Sequence, residues 1–249
     1  MSALPQRVST LHASLDQCTF ALHRICSLGA RRRVVFGGCL DWYELLIRPG
    51  VGLADQSPSA FIRELYRHYR PWQADLLILE RAVNWLKNCR RPTRLSVNVH
   101  PQSFLEDGFV VAAGQLWSQL SDQGHSLCLE LVEFADCGDR DRLETNLAEL
   151  RQQGSLVALD DFGSGFACFD LCAAGVVDVI KIDASLVRRF DQCNKRQAVV
   201  NSILALGGGI GAQIVAEGVE HADEARLLRT VGVGFAQGFY FHKPELSGV

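Results

Sequence analysis

The sequence predicts one α/β domain, a TIM-like (β/α)8 barrel with one antiparallel strand. Three observations lead there. Strand-like and helix-like stretches alternate over most of the chain, the pattern of parallel strands joined by helical crossovers. Six apolar, strand-like runs each carry a polar residue suited to binding metal or moving protons: WYELLIR (Glu44), LSVNVH (Asn98), LCLELVE (Glu130), LVALDDFGSG (Asp160, Asp161), VDVIKID (Lys181) and IVAEGVE (Glu217). Two further strand-like stretches near the start lie too close together for a parallel crossover, which needs a dozen or more residues.

A buried carboxylate must be paired, hydrogen-bonded or bound to metal. A chain that repeats one at successive strand ends gathers them in one place. In a (β/α)8 barrel the catalytic residues come from the C-terminal ends of several strands.

Taken in order, residues 1–18 read as an N-terminal arm and 19–249 as the barrel domain. TFALHRICSL (19–28) reads as a first strand, followed closely by RVVFGG (33–38) and WYELLIR (42–48), an expected antiparallel hairpin. Helices are expected at 59–69 and 73–88 from mixed apolar and charged faces. LSVNVH is the next strand, then helical stretches near 102–105 and 109–122. LCLELVE, a helix at 140–153, LVALDDF, a short helix near 168–174 and VDVIKID follow. A helix over 194–207 is expected to stop at the Gly run 207–209. Strand QIVAEG, helix 222–230 and a final strand near 233–240 complete the chain.

At 249 residues and 48% hydrophobic, the chain can bury one large core, and it contains no linker-like or low-complexity stretch. The net charge of −3 argues against polyanion binding, so no DNA partner is expected. The densest basic cluster, Arg31 to Arg33, reads as a solvated turn. The nine cysteines have no CxxC spacing and read as reduced, mostly buried thiols, with Cys168 and Cys172 four apart on a helix. With no secretory signal, a cytoplasmic location is expected. No run approaches the roughly 20 apolar residues that span a bilayer.

Glu44, Asn98, Glu130, Asp160, Asp161 and Glu217 are hard oxygen donors, suited to Mg²⁺ or Mn²⁺ rather than Zn²⁺. Neighbouring side chains on a regular strand point to opposite faces, so the Gly163-Ser164-Gly165 turn is expected to let Asp160 and Asp161 share a site. Two ions about 3.5–4 Å apart form a clamp for in-line attack on a phosphodiester. Lys181 suits the attacking water or a phosphate charge; alone it also reads as a strand salt bridge. Glu217 and Glu220 also read as first-turn acids of a helix. Arg48 keeps strand parity with Glu44 and can reach a phosphate bidentately, or form a surface ion pair. Asn98 also reads as a cap before Pro101, and His100 as a turn histidine. Trp42 and Tyr43 read as packing residues.

These residues, in this order, resemble the EAL-domain family of cyclic-di-GMP phosphodiesterases over about residues 19–245. The signature stands here as Glu44-Leu45-Leu46-Ile47-Arg48, followed by SVNVH, Glu130-Leu131-Val132-Glu133, DDFGSG, Lys181-Ile182-Asp183, Ala216-Glu217-Gly218-Val219-Glu220 and Gln237-Gly238-Phe239. Seven motifs in sequence are far more specific than any one. The resemblance implies hydrolysis of cyclic-di-GMP to linear pGpG with two Mg²⁺ or Mn²⁺ ions. It implies Glu44, Asn98, Glu130 and Asp160 on one ion, and Asp160, Asp161 and Glu217 at the second. Lys181 and Glu217 would act on the water, and Arg48 and Leu46 would belong to the substrate site. Gln237 is expected at the site's edge, Glu220 near the guanine end, and Glu133 as support for the loop after DDFG. A homodimer, and regulation through a protein partner, are also implied.

The chain departs from the family pattern in five places. Leu45 stands for a small Ala, HRICS for a Tyr-Gln-Pro-like segment, Pro49 follows Arg48 where an aromatic is common, the usual Glu of the helix after Phe61-Ile62 is replaced in the RELYRHY stretch, and Val132 stands for a Thr. None removes an expected metal ligand. They leave open a catalytically impaired domain that acts as a cyclic-di-GMP receptor or protein-interaction module. The fold alone also admits another metal-dependent barrel enzyme, acting on sugar phosphates or enolates.

Overall fold

The computed structural model describes residues 18–29, 41–49, 57–132, 138–165 and 168–247. Eight strands close into a barrel in the order β2-β3-β4-β5-β6-β7-β8-β1, with β1 pairing back to β2 and a ninth strand laid on β1. The strands are β1 Thr19–Ser27, β2 Asp41–Arg48, β3 Thr93–Val99, β4 Ser126–Leu131, β5 Leu156–Phe162, β6 Val179–Ile182, β7 Gln213–Ala216, β8 Phe235–Ala236 and β9 Glu245–Ser247. β2 through β8 are parallel. β1 runs antiparallel to both its neighbours, β2 and β8. The expected barrel with one antiparallel strand is therefore present. The expected strand 33–38 and the arm 1–17 lie outside the described residues.

Helices α1 Pro58–His68, α2 Pro71–Lys87, α3 Asp107–Ser118, α4 Arg140–Gln152, α5 Phe169–Ala173, α6 Ala184–Val187, α7 Asn194–Ile210 and α8 Ala222–Val231 fall between the strands. Their starts follow from local chemistry. Ser57 caps α1, accepting from Ala60 N ahead of Pro58, and Asp139 caps α4, accepting from Arg142 N. His221 and Glu224 form a reciprocal capping box on α8, and left-handed Gly232 ends it.

Two expectations are corrected. The helix over 194–207 does not stop at the glycines but continues to Ile210. Gly207 is buried on the face against β7, where a Cβ would collide with Ile214, so it is there for close packing. The last expected strand, 233–240, is only Phe235–Ala236. Gly238 turns the chain inward at φ 155°, where any Cβ would collide with the Val219 backbone.

Alternate strand residues point into the barrel and build it in layers. Glu44, Asn98, Glu130, Asp160, Lys181, Gln237 and His23 form the upper layer. Ile25, Trp42, Cys128, Ala158, Val179 and Val215 pack as a separate apolar cluster below it. Arg94 and Gln213 lie below that. The larger apolar core lies between the strands and the helices and includes Leu45. Among the described residues, no helix is long and apolar enough to cross a membrane.

Candidate active site

The upper layer brings together most of the expected residues. Lys181 Nζ is 1% exposed and lies 2.8 Å from Glu130 Oε2, 2.8 Å from Asp160 Oδ1, 2.8 Å from Glu217 Oε1 and 3.7 Å from Glu44 Oε1. Asn98 Nδ2 donates to Glu44 Oε1 at 3.0 Å. Glu44 sits mid-strand rather than at a strand end, paired in register with Ser96. The barrel's stagger carries Asn98, two residues further along β3, over to it.

Asp160 and Asp161 face one site, although the reason differs from the expected glycine turn. The β5–β6 register shifts between Leu159 and Phe162, and Asp161 itself is left-handed at φ 48°. This bulge cancels the strand alternation. One carboxylate oxygen from each of Asp160, Asp161 and Glu217 lies within 4.8 Å of the others.

The electrostatics show a cluster short of positive charge. Burial, with Glu44 and Asp160 nearby, holds Glu130 at about 8 despite Lys181. Burial, then Asp160 and Glu44, raises Glu217 well above the usual carboxylate range. Burial and the Asp160 and Asp183 charges lift Asp161 to about 6. Burial also opposes ionisation of Glu44, but Lys181 and the hydrogen bonds from Gln237 and Asn98 outweigh it, leaving its pKa lowered. Burial disfavours the Lys181 ammonium, yet the surrounding carboxylates hold its pKa well above the ordinary lysine value.

Asn98 Oδ1 and Glu130 Oε1 are buried acceptors without a hydrogen-bond partner. Unsatisfied oxygens, excess negative charge and a hard-oxygen donor set together fit divalent metal binding.

Gln237 is deeper than expected. It is 3% exposed, and its amide donates to Glu44 Oε2 at 2.6 Å from inside the barrel rather than from the edge. The same Nε2 lies 2.6 Å from His23 Nδ1, and His23 Nε2 lies 3.0 Å from His242 O. These contacts assign the proton to Nε2. His23 is a site residue that the sequence reading passed over. Its signal was strand parity: it pairs with Glu44 across β1 and β2.

Glu224 is the other missed residue. Its carboxylate accepts from the N–H groups of Arg189, Glu220 and His221, tying down the loop that follows Glu217. Glu224 and Asp223, not Glu217, are the first-turn acids of α8. Glu220 is exposed and pairs with Arg188 at 3.3 Å.

Beside the cluster lies a cavity of about 460 Å³, lined by Arg48, Leu46, Asn98, Asp160, Asp161 and Arg63 among others. Arg48 Nη1 donates to Ile47 O at 3.0 Å. His100 Nδ1 accepts from Gln102 N, as a turn histidine does. Trp42 donates to Ser96, and Tyr43 packs edge-on against Trp85. Glu133 lies outside the described residues.

A closed (β/α)8-type barrel with an acid, amide and lysine cluster at the C-terminal ends of its strands has the layout of a barrel enzyme. The chain belongs to the EAL domain family, whose model matches residues 43–244. It is 29% identical over 192 residues to the cyclic di-GMP phosphodiesterase PdeB of Shewanella oneidensis, a match covering 76% of this chain and 22% of that protein. The chain thus spans less than a third of that relative's length. Klebsiella pneumoniae BlrP1, solved as a calcium and cy-diGMP complex, is 28% identical with a TM-score of 0.72, covering 94% of this chain and 57% of BlrP1. The EAL domain of Mycobacterium smegmatis DcpA is 28% identical with a TM-score of 0.68, covering 92% and 91% of the two chains. The family match begins after β1, the strand where this chain has HRICS.

Proposed function

We propose that the protein is a metal-dependent phosphodiesterase that hydrolyses cyclic-di-GMP to linear pGpG. The observation that carries this reading is the convergence of Glu44, Asn98, Glu130, Asp160, Asp161 and Glu217 around Lys181, with two buried oxygens unpartnered. Relatives and structural neighbours named for cyclic-di-GMP support the substrate.

Glu44, Asn98, Glu130 and Asp160 would hold one Mg²⁺ or Mn²⁺, and Asp160, Asp161 and Glu217 the other. When bound, the pair would supply a nucleophilic hydroxide at neutral pH and charge stabilisation for the leaving oxygen. Glu217 lies 2.8 Å from Lys181 and, once ionised beside bound metal, would accept the proton of the attacking water. The Lys181 ammonium orients that water and offsets phosphate charge. The water oxygen bonds to phosphorus and the bond to the ribose 3′ oxygen breaks. The 3′ oxygen would take a proton from solvent and leave as a hydroxyl, the proton on Glu217 would return to solvent, and pGpG would keep its 5′ phosphate. Arg48, with Leu46, lines the cavity where the second phosphate and base would lie. Gln237 and His23 fix the orientation of Glu44. Glu220 would stand near the guanine end, and Glu133 would support the loop after Asp161.

The reading extends to a cytoplasmic homodimer under the control of a protein partner. The free thiols of Cys26, Cys89, Cys128, Cys172 and Cys193 support a reducing compartment, and the 58% exposed Phe169 is apolar surface that a second copy could cover. Light scattering at micromolar concentration tests the dimer, and a monomer would count against it.

The test of function is incubation of purified protein with cyclic-di-GMP and Mg²⁺ or Mn²⁺, following pGpG by chromatography, with Glu44→Ala as control. Metal-dependent product that disappears in the control establishes the enzyme. Saturable nucleotide binding without product makes it a receptor and points to Leu45 and the HRICS strand. Neither product nor binding rejects both.

A further inference from the structure

At the opposite, N-terminal end of the barrel lies a second cavity, of about 860 Å³, lined by Arg94, Trp117, His125, Arg151, Ser155 and Asp178 among others. Arg94 is only 6% exposed. Its guanidinium lies 4.5 Å over the Trp42 ring, and Nη1 donates to Gln213 Oε1 at 2.8 Å. Its Nε is buried and has no partner. Among the described residues it has no carboxylate within ion-pair distance. The nearby acid, Asp178, is already engaged: Arg151 grips it with Nε at 2.8 Å and Nη2 at 2.7 Å, and Val157 N donates to it at 2.9 Å. Cys128 supplies no counter-charge, because burial pushes its thiol up to about 12.

A buried guanidinium stays charged and is costly without an anion. Two further donors point to what would complete it. Ser155 Oγ is buried without a partner. His125 Nδ1 accepts from Thr93 N at 3.2 Å, which leaves the proton, and a free donor, on Nε2. The cavity thus offers three donors and one uncompensated positive charge. We propose that it binds a small oxyanion of the phosphate class, held by Arg94 with Ser155 and His125 as supporting donors. A guanidinium's planar fork matches that geometry. The site is separate from the catalytic cluster and does not depend on the proposed reaction.

The test is ¹H–¹⁵N spectroscopy of the full chain, with and without Mg²⁺, titrated with inorganic phosphate and separately with acetate. The reporters are Arg94 Nε–H and the Trp117 indole N–H, both at this cavity. A saturating shift of both at millimolar phosphate, unaffected by Mg²⁺, is expected. Ser155→Ala should weaken it about tenfold, and Arg94→Met should abolish it at the Trp117 indole, the reporter that this variant keeps. Should Arg94→Met not fold, the wild-type titration and Ser155→Ala decide. Shifts that are absent, never saturate or survive both substitutions overturn the proposal. Tighter response to acetate than to phosphate overturns the phosphate assignment.

Discussion

Gln237 donates its side-chain amide to Glu44 at 2.6 Å, joining the residue that follows β8 to β2 across 193 residues of sequence. The same nitrogen meets His23 Nδ1, so one amide is aimed by a histidine and in turn aims a carboxylate. Gln237→Ala should remove a buried hydrogen bond to a charged group, an effect of about 1.5–3 kcal/mol. Expressed in turnover that is a loss of roughly ten- to hundredfold, read in kcat with metal affinity weakened and KM for nucleotide little changed. Unaltered kinetics would show that Glu44 holds its orientation without Gln237.

Metal-free protein should lose stability as pH rises from about 5 to 8. Glu130 at about 8, Glu217 also raised, and Asp161 at about 6 stay protonated in the fold at pH values where the unfolded chain has released those protons. The folded state then binds more protons, and linkage makes stability fall with rising pH over that window. Divalent ions bind the ionised carboxylates and oppose this, so Mg²⁺ or Mn²⁺ should raise Tm more at pH 8 than at pH 5. Thermal melts at the two pH values, with and without metal, check it; an equal metal effect at both would refute it.

Asp161 occupies left-handed backbone at φ 48°, a conformation that resists most side chains. Asp161→Gly should leave Tm unchanged or slightly higher while removing a carboxylate and lowering turnover steeply. Asp161→Val should lower turnover too, and lose about 1–2 kcal/mol of stability as well, because its branched side chain tolerates this backbone poorly. Denaturant unfolding of both variants separates strain from ligand loss.

Glu224 holds three backbone N–H groups around the loop that follows Glu217. Burial opposes its charge, but those donors outweigh it and leave its pKa lowered. Its contribution is therefore present above the ordinary carboxylate range and is lost as pH falls through its folded pKa. Glu224→Gln should cost about 1–3 kcal/mol and reduce kcat through Glu217. An unchanged kcat in the folded variant would free the loop from any part in positioning.

The barrel and its metal-type cluster were legible because their signal is local. An apolar run with one acid or lysine near its end can be read strand by strand, and six in a row imply convergence. Features set by register were not legible. Whether Asp160 and Asp161 share a face depends on a bulge between β5 and β6, which the glycines after them only hint at. His23 and Gln237 matter because β1 and β8 close the barrel, bringing together residues 214 apart. The continuation of α7 through Gly207 to Gly209 is hidden from the sequence for a related reason. Packing against Ile214 rewards a bare backbone there, and tertiary contact overrode the low propensity of glycine.

The apolar band of Ile25, Trp42, Cys128, Ala158, Val179 and Val215 acts as insulation between the two mouths of the barrel. Cys128 is the neighbour that Glu130, Lys181 and Arg94 share, and burial keeps its thiol uncharged. Substitutions at one mouth should then add to those at the other with little interaction energy. A barrel wired this way can rewrite one end without retuning the other. Its chemistry can stay fixed while the far mouth gains, loses or changes a ligand.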